Sequence, residues 1–271
     1  MPELPEVETA RRGIAPLLVG QRIAGITVRD RRLRWPVPAT LAKHLPGQVV
    51  RSVERRGKYI LIVTDAGTVL LHLGMSGSVR MVACRTPPQK FDHVDIALAN
   101  GRCLRLRDPR RFGSLLWTRG DPLQHKLLRN LGPEPLGPDF SGAYLYQAAR
   151  GRRIAVRDFL MNTRVLAGVG NIYANETLFL AGVRPNRAAG KVSRERCERL
   201  AQAIRATLEK AIRAGGTTLR DFQNADGLPG HFQQTLNVYG RKGEPCRVCG
   251  TPIRALKLGQ RSAFYCPHCQ T

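Results

Sequence analysis

Nowhere in this sequence is there an apolar run long enough to cross a bilayer, and the acidic N-terminus lacks the basic-then-apolar pattern of a secretory signal. Both absences point to a soluble, cytosolic protein. Acidic residues are scarce as well: 20 Asp and Glu stand against 44 Lys and Arg, a net charge of +24. Such a chain is expected to bind a polyanion, with nucleic acid the leading candidate, and its many arginines suit the bidentate grip of phosphate. Cysteine is sparse outside the tail. Cys84, Cys103 and Cys197 are scattered and read as small buried hydrophobes, which leaves a group of four near the C-terminal end.

At 271 residues and 42 % hydrophobic, the chain can bury more than one core, and two domains are expected. From Ile23 to about Trp117, short apolar runs alternate with turns: Ile23–Val28, Tyr59–Val63, Val69–Leu73, Val94–Leu98 and Ser114–Trp117. Asp65-Ala-Gly67 and Ala99-Asn-Gly101 mark turns, the second a tight hairpin. Short strands at this spacing predict a β-sandwich or barrel-like domain. The Pro/Gly-rich Leu131–Phe140 reads as an inter-domain linker. Beyond it, apolar residues at i, i+3 and i+4 predict helices over 144–150, 156–161, 171–180 and 193–214. The class is therefore α+β and multidomain.

The first twenty residues carry the most chemistry. Leu4, Val7, Ile14, Leu17 and Leu18 recur at helical spacing, predicting a helix from about Pro5 to Leu18, closed by Gly20. Glu3, Glu6 and Glu8 crowd its start. Two readings stay open on this stretch alone. One is an ordinary acidic helix start. The other is a nucleophile: removal of Met1 leaves Pro2 as a secondary amine at the positive helix end, where protonation is disfavoured and a neighbouring carboxyl can move a proton.

Further along, His72-Leu-Gly-Met-Ser-Gly-Ser78 has glycines that allow close approach of the backbone to a ligand. Arg107–Gly113 reads either as a solvated basic turn or as a tip that drives Phe112 between bases beside Arg110. Ala167–Tyr173 is a Gly-rich loop entering a helix, with Asn171 a candidate phosphate donor. Gly215–Phe222 with Asn224–Gly230 reads as a plain surface loop or a lid. Cys246-x-x-Cys249 and Cys266-x-x-Cys269, sixteen residues apart, are a strong zinc signal. Four thiolates close the tetrahedron, so the metal is structural, with His268 a bystander. Ile253, Ala255 and Leu256 suggest a hairpin between the pairs, turning at Gly259-Gln-Arg261.

In this order, Pro2-Glu-Leu-Pro-Glu-Val-Glu-Thr9, His72–Gly77, Asp108-Pro-Arg-Arg-Phe-Gly113, Gly168-Val-Gly-Asn-Ile-Tyr173, Val238-Tyr-Gly-Arg241 and the four-cysteine tail form a specific set. Over essentially the whole chain they resemble the bacterial formamidopyrimidine-DNA glycosylases (8-oxoguanine DNA glycosylase type). Leu4-Pro5 and Met75 favour this branch over the related endonuclease VIII type. The resemblance implies a catalytic β-sandwich over 2–130, a linker and the start of the helical region over 131–150, a helix–two-turn–helix domain over 151–235 and a zinc finger over 236–271.

It also implies a bifunctional glycosylase and AP lyase of base excision repair that removes oxidised purines from double-stranded DNA, preferably opposite cytosine. Pro2 would be the nucleophile and Glu3 the general acid, with Lys58 and Arg261 serving the elimination steps. Glu6 would support the site. Met75, Arg110 and Phe112 would fill the hole left by the flipped base. His72, Arg152, Asn171 and Tyr173 would contact DNA. The expected cofactor is one zinc and no organic group; the expected state is a monomer that associates with the nucleoid. Two positions depart from the family pattern: Arg157 stands where many relatives carry Lys, and Phe91 where some carry a DNA-contacting His, with His93 two residues on. A non-catalytic nucleic-acid-binding zinc protein would share the charge and the tail, but it has no use for Pro2 followed by Glu3.

Overall fold

The computed structural model describes residues 2–216 and 236–271. Its described residues divide into two compact units, one on residues up to Arg129 together with 214–216, the other on Asn130–Arg213 and 236–271.

The first unit begins with helix α1, Leu4–Leu18. Its start is fixed chemically: the Glu3 N–H donates to Glu6 Oε2 at 2.8 Å, and Pro5 sits in the first turn, where no N–H is needed. Leu4, Val7, Ala10, Ile14 and Leu18 form the buried stripe. Behind α1 lie two antiparallel four-stranded sheets. One runs β1 (Ile23–Val28), β6 (Asp92–Leu98), β7 (Arg102–Arg107), β5 (Ser78–Ala83). The other runs β2 (Val50–Arg56), β3 (Tyr59–Thr64), β4 (Gly67–His72), β8 (Ser114–Thr118). A single apolar core joins Val7 and Ile14 of α1 to Ile60, Ile62 and Leu71 of one sheet and Val94, Ile96, Leu104 and Leu106 of the other. The short helix α2, Leu41–His44, adds Leu41 to it. Each such side chain contributes roughly 1.5–3 kcal/mol of burial. This is the expected sandwich.

Strands β2, β5 and β7 were not legible as strands, and α2 was not legible as a helix. β7 reads Arg-Cys-Leu-Arg-Leu-Arg, which looks like a solvated segment. Arg105 is nevertheless buried, because Asp95 on the neighbouring strand takes its Nε and Nη2 at 2.8 Å each and the carbonyls of Thr86 and Pro87 take the rest.

The second unit is helical. The Pro/Gly-rich stretch is packed: Gly132 N–H donates to Thr163 at 2.8 Å, Ala167 N–H to Pro133 at 3.1 Å, and Phe140 is buried beneath the Arg205 guanidinium. α3 (Gly142–Ala149) is capped by the Ser141 hydroxyl, which accepts the Tyr144 N–H at 3.1 Å. α4 (Val156–Met161) and α5 (Asn171–Leu180) follow. α6 (Arg194–Arg213) buries Cys197, Leu200, Ala201, Ile204, Leu208 and Ala211 at helical spacing, and α3 and α5 pack on that face. The hairpin β9 (Arg254–Leu258) and β10 (Arg261–Tyr265) completes the unit. Among the described residues no helix is long and apolar enough to cross a membrane.

Candidate active site and metal centre

Pro2, Glu3 and Glu6 are all buried at the N-terminus of α1. Glu6 has no exposed surface (0 %); one of its oxygens accepts the Glu3 N–H. On another side it is approached by Gly216, whose φ of +82° favours glycine and where a Cβ would lie 3.1 Å from Glu6 Oε1. Pro2 and two carboxyl groups thus share one solvent-shielded helix end.

Lys58 lies in the β2–β3 turn, half-buried, and Tyr59 after it pairs with His72 across β3 and β4. The Tyr59 and His72 rings lie 4.7 Å apart. His72 Nδ1 accepts the Gly74 N–H at 3.0 Å, which places the ring proton on Nε2. Burial, then the nearby charges of Lys58 and Arg34, pull its pKa down to about 4, so His72 is neutral at pH 7 and its Nε2–H is a donor. Lys58 and His72 are therefore electrostatic neighbours.

Met75 (38 % exposed) and Phe112 (43 % exposed) project into solvent, and the Arg110 guanidinium lies 5.0 Å over the Phe112 ring. The two adjacent arginines have different tasks. Arg111 adopts φ +57° and pairs with Asp30 at 2.9 Å, which leaves the outward position to exposed Arg110. Phe91, at φ +75°, sits beneath Lys90 and Arg107, while His93 is buried with Nε2 2.8 Å from the Asp108 carbonyl. His93 therefore belongs to the packing and does not supply an outward-facing contact.

In the second unit, Asn171 and the hairpin are brought together by a residue whose structural task was not foreseen. Arg157, fully buried, donates from Nη1 to Asn171 Oδ1 and from Nη2 to the Leu258 carbonyl, both at 2.8 Å. Its Nε lies 3.0 Å from Asp158 Oδ1, a charge pair without hydrogen-bond alignment. Burial lowers its pKa, Asp158 opposes that, and the nearby Arg261 charge adds to it. Asn171 Nδ2 donates in turn to the Ser262 carbonyl at 3.0 Å, and the Phe264 N–H donates to Asn175 Oδ1 at 2.7 Å. Arg261 opens β10 as an exposed residue, and Arg152 is exposed as well.

Tyr173, two residues after Asn171 on α5, is fully buried (0 % exposed). Glu176 was missed. It is buried and accepts Asn237 N–H at 2.8 Å, Asn237 Nδ2 at 3.0 Å, and the Val238 and Tyr239 N–H groups at 2.9 Å each. The available signal was a lone acid, the only charged residue of α5.

The four tail cysteines converge: their Sγ atoms all lie within 4.8 Å of one another. Cys246–Cys269 is 3.9 Å, Cys249–Cys266 3.4 Å and Cys249–Cys269 3.5 Å. A tetrahedron with Zn–S bonds of about 2.3 Å has S–S edges of roughly 3.8 Å. The set fits, and with four sulfur ligands no position is left for water. This is a structural zinc centre. Most of the lid reading, from Thr217 on, lies outside the described residues.

Comparison with known proteins agrees along the chain. The family model of the formamidopyrimidine-DNA glycosylase N-terminal domain matches residues 1–115, that of the glycosylase H2TH domain 131–223, and that of the zinc finger found in FPG and IleRS 243–271. The formamidopyrimidine-DNA glycosylase of Alkalilimnicola ehrlichii is 58 % identical over the full length of both chains. Among solved structures, Lactococcus lactis FPG (MutM) in complex with Fapy-dG-containing DNA is 32 % identical, with a TM-score of 0.90 over 99 % of this chain and 100 % of that one. MutM in complex with carbocyclic 8-oxo-G-containing DNA is 33 % identical, with a TM-score of 0.91 and full coverage of both. With its helix-led sandwich, helical unit and four-cysteine finger matched in order, the chain belongs to the formamidopyrimidine-DNA glycosylase family, the DNA glycosylases of base excision repair.

Proposed function

We propose that the protein is a bifunctional DNA glycosylase and AP lyase acting on oxidised purines through an N-terminal proline Schiff base. The observation that carries this reading is the helix start, where Pro2, Glu3 and Glu6 are buried together. The positive helix end favours the neutral amine once Met1 is removed. Relatives bound to Fapy-dG and 8-oxo-G DNA point to the same substrates here.

The lesion is flipped out of the duplex, since its C1′ cannot be reached in the stack. The Pro2 nitrogen attacks C1′, and Glu3 donates the proton that opens the sugar ring and lets the base leave. The resulting iminium makes the C2′ proton acidic. Its loss expels the 3′ phosphate, and a second elimination expels the 5′ phosphate, leaving a one-nucleotide gap. Glu6 supports the helix end. Lys58 serves proton transfer in the eliminations, while Arg261, too basic to give up its proton, holds a phosphate. Met75 and Phe112 fill the emptied position, and Arg110 reads O2 and N3 of the cytosine left unpaired. His72, Arg152 and Asn171 hold the backbone. A monomer suffices for this chemistry.

The test is borohydride trapping on a duplex with 8-oxoguanine opposite cytosine, followed by peptide mass spectrometry. The expected adduct is on Pro2 with Met1 absent. Pro2→Ala is expected to lower excision by at least about 100-fold with DNA binding retained. An adduct on another residue, or unchanged excision by Pro2→Ala, overturns the assignment.

A further inference from the structure

The loops that carry Met75 (residues 73–77) and Arg110 with Phe112 (residues 108–113) are joined through one buried carboxylate. Asp108 has no exposed surface, and Ser76 only 3 %. Asp108 Oδ1 accepts the Ser76 hydroxyl at 2.8 Å, and Oδ2 accepts the Gly113 N–H at 2.7 Å. The Ser76 Oγ accepts the Arg110 N–H at 3.2 Å. The Asp108 backbone is held as well: its carbonyl accepts the Arg111 N–H at 3.2 Å and lies 2.8 Å from His93 Nε2, and its N–H donates to Phe91 at 3.1 Å.

The two backbones also touch directly. A Cβ on Gly74 would lie 2.3 Å from the Phe112 carbonyl carbon, and one on Gly113 would lie 2.8 Å from the His72 oxygen. Ser76 is the residue after Met75, and Asp108 stands two before Arg110. Neither loop can shift without breaking a hydrogen bond shielded from water, where such bonds are strongest.

We propose that Asp108 and Ser76 are positioning residues that lock the Met75 loop and the Arg110–Phe112 loop into one preformed wedge and thereby set opposite-base discrimination. This rests on the reading of Met75, Arg110 and Phe112 given above. Neither Asp108 nor Ser76 touches the substrate in this account. Their effect is to fix the Arg110 backbone, so that its guanidinium meets the unpaired base without an ordering cost on binding. A loosened wedge still inserts apolar side chains, but it loses the alignment that separates cytosine from adenine.

The experiment uses the full-length, zinc-loaded protein. Single-turnover excision of 8-oxoguanine is measured opposite cytosine and opposite adenine for Ser76→Ala, Asp108→Asn, Arg110→Ala and the double variant Ser76→Ala/Arg110→Ala. The loss of the two hydrogen bonds of the Ser76 hydroxyl is expected to shrink the cytosine-over-adenine ratio about tenfold in Ser76→Ala. In the Arg110→Ala background Ser76→Ala is expected to change the ratio no further, and Ser76→Thr, which keeps the hydroxyl, to preserve it. Asp108→Asn answers the same question should Ser76→Ala fail to fold. If Arg110→Ala lowers the ratio while Ser76→Ala and Asp108→Asn leave it intact, or if the double variant is additive, the positioning role is overturned. If Arg110→Ala itself leaves the ratio unchanged, the wedge reading fails, and this inference with it.

Discussion

Glu8 lies on the inner side of α1 among three guanidiniums: Arg11 and Arg12 at 2.8 Å and Arg55 of β2 at 3.1 Å. Burial opposes its ionisation, but hydrogen bonds from Arg11 and Arg12, with the charges of Arg11 and Arg55, outweigh that and bring its pKa to about 2. The folded-state value lies below the ordinary 4.5, so Glu8 adds stability above that pH and loses it as pH falls through about 2. Glu8→Gln is expected to destabilise the protein by on the order of 2 kcal/mol at pH 7 and to differ little from the parent near pH 2. Urea denaturation across that range checks this; a gap independent of pH contradicts it. At this scale residue type was legible and partner was not. Glu3, Glu6 and Glu8 are alike in sequence, yet Glu6 closes the helix start and Glu8 ties the helix to a strand.

The elements of the helical unit were read from periodicity, and α4 and α5 start and end at the expected residues. Their docking was not legible, because it depends on side chains from distant parts of the chain. Arg157 of α4 reaches Leu258, 101 positions away, and so connects the start of α5 to the turn that presents Arg261. A lysine at this position carries the charge but lacks the planar fork, and one ammonium cannot replace both bonds in the same geometry. Arg157→Lys is expected to cost about 1–3 kcal/mol of stability. It is also expected to weaken DNA binding through the displaced hairpin. Denaturation and fluorescence anisotropy measure the two effects; a variant with parental values in both would remove the clamp. β7 was hidden for the same reason: it mixes arginine with apolar residues, and Asp95 on β6 with the carbonyls of Thr86 and Pro87 makes a buried Arg105 tolerable.

For the molecule as a whole, the net charge of +24 is the dominant long-range term. Binding that releases counterions from several phosphates weakens steeply with salt, by about 10³-fold or more between 50 and 200 mM for six contacts. Affinity for undamaged duplex is expected to follow that dependence, read from the slope of log Kd against log salt. A flat line would mean that phosphates are not the main source of binding. With Lys and Arg totalling 44, composition points to a polyanion without saying which of them touch it.

The sequence by itself determined residue types at short range and the local periods: a proline directly ahead of acids, four cysteines at zinc spacing, helices at 3.6-residue spacing and a sandwich of short strands. These follow from residue type and from neighbours within a few positions. Tertiary structure decided which of two adjacent arginines is tied down, with Asp30 taking Arg111, and it buried Arg157 between Asn171 and Leu258. It also joined Ser76 to Asp108 across 32 positions. The physical reason is common to all of these: whether a polar side chain works or merely packs depends on its partner, and a partner brought in by the fold leaves no local trace in the sequence.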